Sequence, residues 1–395
     1  MKTELKDNIL TIFLEGRIDS NNAPELEKKL LDIAAQSDSA SKIQIDVDKL
    51  EYISSAGLRV LLKLRKEIKK PLPVINASNE LYEIFSVTGF VELLEVHKKM
   101  REVSVEGCEL IGEGANGKVY RLTKDEMIKV FQHKVTLEEI EAEREASRKA
   151  FLLGVPCAIA FDTVRCGDSY GTIYEMLNAK TLTEIISANP ERVTELAKAS
   201  ALLLKQLHGI EVPEGQMPRA SRLLHNTIDK LAKYLPLDDI EKLHAIYNAI
   251  PEENHFIHND YHVKNIMESN GELMLIDLGD AGAGNPVIDL IHCYMVFNLI
   301  GLGVKNKSDD DISFIGISYK DLHCFWKIFL ETYCGDPEKA ESLNKKLGPY
   351  AMLMYLSVSA THPLCPVEHR KHQVDKIKSL ILPRYEELIK FTWDE

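Results

Sequence analysis

The first hundred residues alternate short apolar runs with amphipathic stretches. The mainly apolar residues at 10–14, 74–75 and 93–96 predict β-strands, as does the alternation of apolar and polar residues at 43–47. Between them, residues 23–35, 58–68 and 80–88 carry apolar side chains at the 3.6-residue spacing of helices. Strands that alternate with helices in this way predict a compact α/β domain.

From residue 104 onward the pattern changes. Runs at residues 119–122, 127–131, 161–165 and 170–176 predict strands around one helix at 137–153, and residues 193–207, 226–235 and 237–250 predict successive helices. We therefore expect an α+β bilobal domain, with a β-rich small lobe at about 104–178 and a helical large lobe at about 179–395. The charged stretch 97–107 has no clear period, so the predicted domains are residues 1–101 and 102–395.

A predicted hairpin carries the densest polar chemistry of the chain. The pair Asn270-Gly271 separates two apolar runs, and such a pair favours a tight turn because both turn positions need positive φ. The outer ends of the two strands carry Asp260 and Asn265 on one side and Asp277 on the other. Oxygen-bearing side chains that converge in this way suit a hard divalent cation and a phosphate.

A glycine-rich motif precedes this hairpin. Gly112, Gly114 and Gly117 form Gly-x-Gly-x-x-Gly, but a strand follows them rather than a helix. The glycines therefore form a loop between antiparallel strands, which is either a plain hairpin or a loop whose backbone amides bind phosphates. Lys129 lies on the next strand between apolar residues, and burying an unpaired ammonium group is costly. One glutamate of the helix at 137–153 can therefore pair with it.

Two serines join a strand to a helix in the first domain. In Ile-Ser-Ser-Ala-Gly, Ser54 and Ser55 lie at the expected helix N-terminus. A serine hydroxyl there can be an N-cap. Alternatively it can be a phosphorylation site, because the helix dipole stabilises an added phosphate.

Composition excludes several classes of protein. The 395 residues are 45% hydrophobic and 28% charged, as expected for a soluble globular protein. The net charge of −13 argues against nucleic-acid binding. The apolar run at 287–304 includes Asp289, His292 and Asn298, so we interpret it as a buried helix and expect no membrane contact. With no secretory signal and no Cys-x-x-Cys pair, free thiols and a cytoplasmic location are expected.

Residues 15–19 (Glu-Gly-Arg-Ile-Asp) and 52–59 (Tyr-Ile-Ser-Ser-Ala-Gly-Leu-Arg) resemble a STAS domain, the fold of bacterial anti-sigma factor antagonists. The resemblance covers about residues 1–100. In that family a partner kinase phosphorylates the serine that follows an aspartate. Here Ser54 replaces the aspartate and Ser55 matches the phosphorylated serine. The resemblance implies a docking or sensing module for a protein partner, with Ser55 as a possible phosphosite.

Residues 258–265 (His-Asn-Asp-Tyr-His-Val-Lys-Asn) resemble the His-Gly-Asp-Leu-His-Pro-Gly-Asn signature of the aminoglycoside phosphotransferase and choline kinase family, which has a protein-kinase-like fold. Residues 276–280 (Ile-Asp-Leu-Gly-Asp) resemble its metal motif, and residues 284–290 its following Gly-Asp-Pro-x-x-Asp-Leu segment. The resemblance covers about residues 104–395. It implies that Asp260 is the base that orients an acceptor hydroxyl, and that Asn265 and Asp277 hold Mg²⁺ across the β- and γ-phosphates of ATP.

The same resemblance implies a nucleotide site. The glycine-rich loop would cover the phosphates, and Lys129 would bind their oxygens. Glu143 is the expected partner of Lys129, because it lies thirteen residues before Pro156 as it does in relatives.

The function implied is transfer of the γ-phosphoryl group of ATP to a hydroxyl of a small molecule, such as a sugar, an amino alcohol or an aminoglycoside-like compound, with STAS as a regulatory module. One alternative is a Ser/Thr protein kinase that acts on a STAS serine. Against it, no Ala-Pro-Glu follows Asp277, so a protein-kinase activation segment is not recognisable. The other alternative is a non-catalytic, nucleotide-sensing scaffold.

Overall fold

The computed structural model describes residues 1–6, 8–35, 41–114, 116–300, 308–309 and 311–390. By its internal contacts the chain divides into two units, Met1–Val103 and Ser104–Glu395. Each unit has its own buried apolar core. The fold classes predicted for the two regions, α/β and bilobal α+β, are confirmed.

The N-terminal unit is a five-stranded sheet with helices. The strands follow the order β1-β2-β3-β4-β5, in which β1 is antiparallel to β2 and the other neighbours are parallel. The alternation at Ile43, Ile45 and Val47 buries one face of β3. The elements are β1 (Lys2–Lys6), β2 (Ile9–Ile18), α1 (Ala23–Ala35), β3 (Lys42–Ile53), α2 (Ser55–Ile68), β4 (Val74–Ala77), α3 (Asn79–Val87), α4 (Phe90–Leu94) and β5 (Val96–Lys98).

Two details of this unit differ from the sequence prediction. The strand predicted at residues 93–96 is wrong, because Phe90–Leu94 is a short helix and β5 begins only at Val96. Gly89 and Glu95 both have positive φ, so the chain turns sharply before and after that helix. Strand β1 was not predicted, because all its residues are exposed and it has no buried alternation.

The small lobe of the second unit is an antiparallel sheet with one helix. Its strand order is β6-β7-β8-β10-β9. Helix α5 begins with a capping box in which Thr136 and Glu139 bind each other's backbone amides. The elements are β6 (Glu109–Glu113), β7 (Gly117–Arg121), β8 (Glu126–Phe131), α5 (Leu137–Leu152), β9 (Ala160–Cys166) and β10 (Ser169–Glu175).

The large lobe is mainly helical, with short strands at the polar motifs. Its elements are β11 (Lys180–Thr181), α6 (Leu182–Ala188), α7 (Val193–Leu207), α8 (Arg222–Leu231), α9 (Leu237–Asn248), β12 (His255–Ile257), β13 (Ile266–Ser269), β14 (Glu272–Leu275), β15 (Gly282–Gly284), α10 (Val287–Tyr294), α11 (Tyr319–Cys334), α12 (Pro337–Thr361), α13 (Val367–Lys376) and α14 (Tyr385–Leu388). Single turns of 3₁₀- or π-helix extend several of these elements.

The predicted hairpin and the predicted buried helix both form. Strands β13 and β14 pair around Asn270 and Gly271, whose φ angles are 53° and 84°. The apolar run that was predicted as a helix begins as α10 and continues as a π-helix over Met295–Leu299. Its end, at residues 301–304, lies outside the described residues. In the described part of the chain, no helix is both long and apolar enough to cross a membrane.

Two glycines of the small lobe differ in how closely they are packed against the β7–β8 hairpin. A Cβ on Gly117 would lie 2.2 Å from the carbonyl oxygen of Val130, whereas a Cβ on Gly114 meets no described atom within 4 Å. We predict that Gly117→Ala destabilises this hairpin by about 1–3 kcal/mol, because the backbone of β8 must move. Gly114→Ala should change stability by less than about 0.5 kcal/mol. Hydrogen exchange of the β7 and β8 amides measures both, and equal protection in the two variants would contradict the prediction.

Candidate active site

The loop between β12 and β13 presents the first polar group of the site. It contains Asn259, which stands where the resembled signature has glycine and adopts a positive φ of 65°. Asparagine tolerates this left-handed conformation better than most residues. The Asn259 side chain also donates to the backbone oxygen of Asp280 at 2.9 Å. The loop is therefore attached directly to the segment that carries the metal motif.

A buried carboxylate holds this loop from below. Asp289 of α10 is fully buried and accepts hydrogen bonds from the backbone N–H groups of His258 at 2.9 Å and Asn259 at 2.7 Å. The imidazole of His208 lies 3.1 Å away. Burial would raise the pKa of Asp289, but the His208 contact and the neighbouring imidazole and amide groups hold it below its usual value. Asp289 is therefore an anchor for the backbone beside Asp260.

Asp260 is surrounded by donors. Asn265 Nδ2 donates to its Oδ2 at 2.8 Å, and His262 Nε2 lies 3.3 Å from its Oδ1. Burial would raise the pKa of this carboxyl, but the hydrogen bond from His262 and the fields of His292, His262 and His258 hold it well below its usual range. Asp260 is thus a carboxylate at any physiological pH.

The hairpin brings Asn265 and the metal motif together. The backbone N–H of Ile276 donates to the carbonyl of Asn265 at 3.0 Å, so Asp277 follows directly beside Asn265. The Asn265 Nδ2 group donates to the backbone oxygen and to Oδ2 of Asp260. Within the described residues, no group donates to the Oδ1 atom of Asn265. Asp277 has a positive φ of 61° and a half-exposed carboxylate. Asn265 and Asp277 therefore each carry a side-chain oxygen at the same end of the hairpin.

Lys129 connects the small lobe to this hairpin. Its Nζ lies 2.7 Å from Glu143 Oε1 on α5 and 3.3 Å from Asp277 Oδ1. Burial alone would lower the pKa of the ammonium group, but the charges of Asp277 and Glu143 raise it. Gly279 permits this approach, because a Cβ there would lie 2.9 Å from the Glu143 side chain.

The glycine-rich loop connects β6 to β7. Gly112 lies in β6, Gly117 begins β7, and the N–H of Gly114 donates to the carbonyl of Gly117 at 2.9 Å. Strand β7 pairs with β8, and in this pair Val119 of β7 lies opposite Lys129 of β8. The loop and the lysine therefore belong to the same small sheet.

Ser55 belongs to the other unit. It is exposed and is the first residue of α2, while Ser54 is the N-cap and accepts the Gly57 N–H at 3.5 Å. The N-cap interpretation therefore applies to Ser54, whereas Ser55 is exposed in the first turn of the helix.

The sequence did not identify two further contacts. His292 Nε2 lies 3.5 Å from Asp260 Oδ1, and the Tyr174 hydroxyl donates to Glu143 Oε1 at 3.4 Å. His292 follows Asp289 by three positions, which on a helix places both on one face. That spacing was the available signal, but it needed the knowledge that this face packs against the loop.

The family of the chain follows from two matches. A model of the phosphotransferase enzyme family matches residues 107–302, and a model of the STAS domain matches residues 1–103. Residues 107–302 therefore form a domain of the phosphotransferase enzyme family, and residues 1–103 form a STAS domain. Both resemblances that the sequence motifs indicated are confirmed.

Curated relatives match the N-terminal unit. Over 94 residues the chain is 35% identical to an anti-sigma factor antagonist, BtrV, of Bordetella bronchiseptica. The matched residues are 23% of this chain and 78% of that protein. It is also 29% identical over 96 residues to the anti-sigma-B factor antagonist of Bacillus subtilis, covering 24% of this chain and 85% of that protein. These relatives extend the similarity over most of a STAS protein.

Solved structures are similar at low identity. A streptomycin–ATP ternary complex of APH(2″)-IIa matches with 18% identity and a TM-score of 0.45, covering 80% of this chain and 99% of that one. A choline/ethanolamine kinase family protein from Mesorhizobium loti matches with 14% identity and a TM-score of 0.43, covering 72% of this chain and 91% of that one. The family assignment rests on the family models.

The Asp289 anchor can be tested by its pH dependence. A carboxyl whose pKa is lowered by folding stabilises the protein above its unfolded value of 3.8, and this contribution disappears as the pH falls through the folded value. We predict that Asp289→Asn lowers the free energy of unfolding at pH 7 by about 1.5–3 kcal/mol, because charge-assisted hydrogen bonds are lost. The difference from wild type should narrow below pH 3.8.

Urea unfolding followed by tryptophan fluorescence measures this difference, because both tryptophans of the chain lie in the second unit. Asp162→Asn, at an exposed position of β9, is the matched control. A difference that is the same at every pH would contradict the assigned anchor.

Proposed function

We propose that this protein is an ATP- and Mg²⁺-dependent phosphotransferase that moves the γ-phosphoryl group to a hydroxyl of a small molecule. The observation that carries the proposal is the convergence of Lys129, Asp277 and Asn265 beside Asp260. One cation and three oxygen-bearing side chains, held on one hairpin and its neighbouring sheet, are the groups that phosphoryl transfer requires.

The nucleotide would lie between the glycine-rich loop and the hairpin. Lys129, held by Glu143, would neutralise phosphate oxygens, and its contact with Asp277 would give way to a metal–phosphate complex. The backbone amides of the loop around Gly114 supply further donors. Phosphoryl transfer requires little covalent chemistry from the protein, so positioning and charge neutralisation supply most of the rate enhancement.

The residues present fit a magnesium ion. The amide nitrogen of Asn265 donates to Asp260, no described residue donates to its Oδ1, and Asp277 offers a half-exposed carboxylate. Carbonyl and carboxylate oxygens are the ligands that Mg²⁺ prefers. When bound, the ion would neutralise charge on the β- and γ-phosphates. Asn265 and Asp277 are the residues that would hold it.

Asp260 would orient the acceptor. Its low pKa makes it a weak base, so we assign it mainly to fixing the acceptor hydroxyl through a hydrogen bond, with proton transfer late in the reaction. A dissociative transition state does not need early removal of that proton. A strongly held carboxylate suits this orienting role.

The segment after the metal motif favours a small acceptor over a protein. Only residues 278–286 connect Asp277 to α10, and part of this connection is β15, paired with β12. A protein kinase uses a long activation segment at this point to bind a peptide. Sugars, amino alcohols and aminoglycoside-like compounds are therefore the first acceptors to test.

We assign the STAS unit a docking role toward a protein partner. The curated relatives of this unit are anti-sigma factor antagonists, and Ser55 is exposed at the start of α2. A phosphate on Ser55 would be stabilised by the helix N-terminus. Ser55 is thus the proposed modification site, and the effect of the unit on transfer is the proposed regulation.

The acceptor assignment predicts the behaviour of Asp260→Asn. We expect this variant to lose phosphoryl transfer by at least about 100-fold, because the hydroxyl is no longer oriented. Nucleotide binding should stay within about threefold, because Asp260 does not contact the nucleotide in the proposed arrangement. ADP release with MgATP and a panel of hydroxyl acceptors measures transfer, and thermal shift with ATP measures binding.

Asp162→Asn, at an exposed position of β9, serves as the control for this experiment. Full activity of Asp260→Asn would refute the proposed role. Incorporation of labelled phosphate into wild type but not into Ser55→Ala, with no acceptor-dependent turnover, would instead favour a kinase that acts on a STAS serine.

A further inference from the structure

His292 is a buried histidine that faces the proposed catalytic carboxylate. It lies on α10, where its neighbours Leu290, Ile291 and Cys293 are buried and apolar. Its Nε2 atom is 3.5 Å from Asp260 Oδ1, and its Nδ1 atom is buried without a hydrogen-bond partner in the described chain. A polar side chain buried in this way is costly unless it makes a useful contact.

The hydrogen bonds around Asp260 define the protonation of its neighbours. The backbone N–H of Lys264 donates to His262 Nδ1 at 3.3 Å, so the proton of a neutral His262 is on Nε2, 3.3 Å from Asp260 Oδ1. His292 approaches the same oxygen from α10. Asn265 is bonded to the other oxygen, Oδ2, at 2.8 Å.

A carboxylate has about four acceptor positions, about two on each oxygen. With two imidazole Nε2 atoms within 3.5 Å of Oδ1 and one amide hydrogen-bonded to Oδ2, the described residues leave a single acceptor position, and it is on Oδ2. The two oxygens of Asp260 are therefore not equivalent. One is held by histidines, and the other has room for a hydroxyl.

We propose that His292 is a positioning residue, which together with His262 holds Oδ1 of Asp260 and so presents Oδ2 to the acceptor hydroxyl. This inference rests on the proposed phosphotransferase function. The contact is longer than an ideal hydrogen bond, as is common in active sites without substrate, and it shortens when the acceptor is bound.

The surroundings of His292 favour this role over packing alone. Burial lowers the pKa of His292, Asp260 and Asp289 raise it, and the nearby His262 and His258 lower it further. The resulting pKa lies below the usual value of histidine, so the imidazole is neutral at pH 7. Asp260 Oδ1 lies within reach of Nε2, whereas the buried Nδ1 has no partner in the described chain, so the single N–H of a neutral ring belongs on Nε2, toward Asp260. In the described residues the carboxylate of Asp289 contacts His208 and the backbone amides of His258 and Asn259, and no hydrogen bond joins it to His292.

The first test is spectroscopic and needs no acceptor. In long-range ¹H–¹⁵N spectra of the full-length protein at pH 7, His292, assigned with His292→Gln, should show the Nε2–H tautomer. Its Nε2 resonance should shift in Asp260→Ala, because the acceptor of the N–H is removed. A Nδ1–H tautomer, or a resonance that does not respond to Asp260→Ala, would overturn the inference.

The second test is kinetic, with water as the acceptor and MgATP as the substrate. For His292→Leu we expect kcat to fall about 10- to 100-fold with KM for ATP within about twofold, because only the orientation of Asp260 is lost. His292→Gln should recover most of the rate, because its amide nitrogen can replace Nε2. Ile291→Val, on the same turn of α10, is the packing control and should retain wild-type kcat.

The outcomes separate the two proposals. If wild type consumes MgATP neither with water nor with any hydroxyl acceptor of the panel, the phosphotransferase function fails while the spectra still decide the His292 contact. If wild type is active and His292→Leu has the same kcat, the positioning role is refuted. If His292→Leu does not fold, the comparison of His292→Gln with Ile291→Val and the tautomer of wild type decide.

Discussion

The site depends on one buried carboxylate. Asp289 accepts the backbone N–H groups of His258 and Asn259, and this fixes the loop from which Asp260 projects. Because the same helix carries His292, α10 both holds the backbone of the loop and touches the carboxylate that the loop presents. An ordinary loop would not keep a carboxylate in one orientation, since its backbone would be bound mainly to water. The cost of burying Asp289 is offset by the hydrogen bonds that it accepts.

The second dependence is electrostatic and connects the two lobes. Lys129 comes from the small sheet, Glu143 from α5, and Asp277 from the end of the β13–β14 hairpin. A single ammonium group between two carboxylates joins these elements, and a metal–nucleotide complex would alter the balance of charge at this point. In the proposed function the charge network that joins the two lobes is also the one that binds the nucleotide.

Much of this arrangement could be predicted from the sequence. The Asn270-Gly271 turn was readable because its conformational need is local, and Lys129 was readable because an ammonium group within an apolar strand needs a partner. The short helix α4 was not, because a segment as short as residues 90–94 (Phe-Val-Glu-Leu-Leu) suits either a strand or a helix. His292 was not, because its role depends on which face of α10 packs against the loop. The positive φ of Asn259 explains in retrospect how asparagine can stand at a glycine position of the signature.

In the proposed function, Asn265 and Asp277 hold the metal of a metal–nucleotide complex. The most direct test is the affinity for Mn²⁺ in the presence of AMP-PNP, measured by electron paramagnetic resonance in wild type and in Asp277→Asn. We expect the Mn²⁺ affinity of the variant to fall at least about tenfold, equivalent to about 1.4 kcal/mol. Its affinity for AMP-PNP without metal should not fall, because Asp277 repels the phosphates. Equal Mn²⁺ affinities in the two proteins would contradict the assignment.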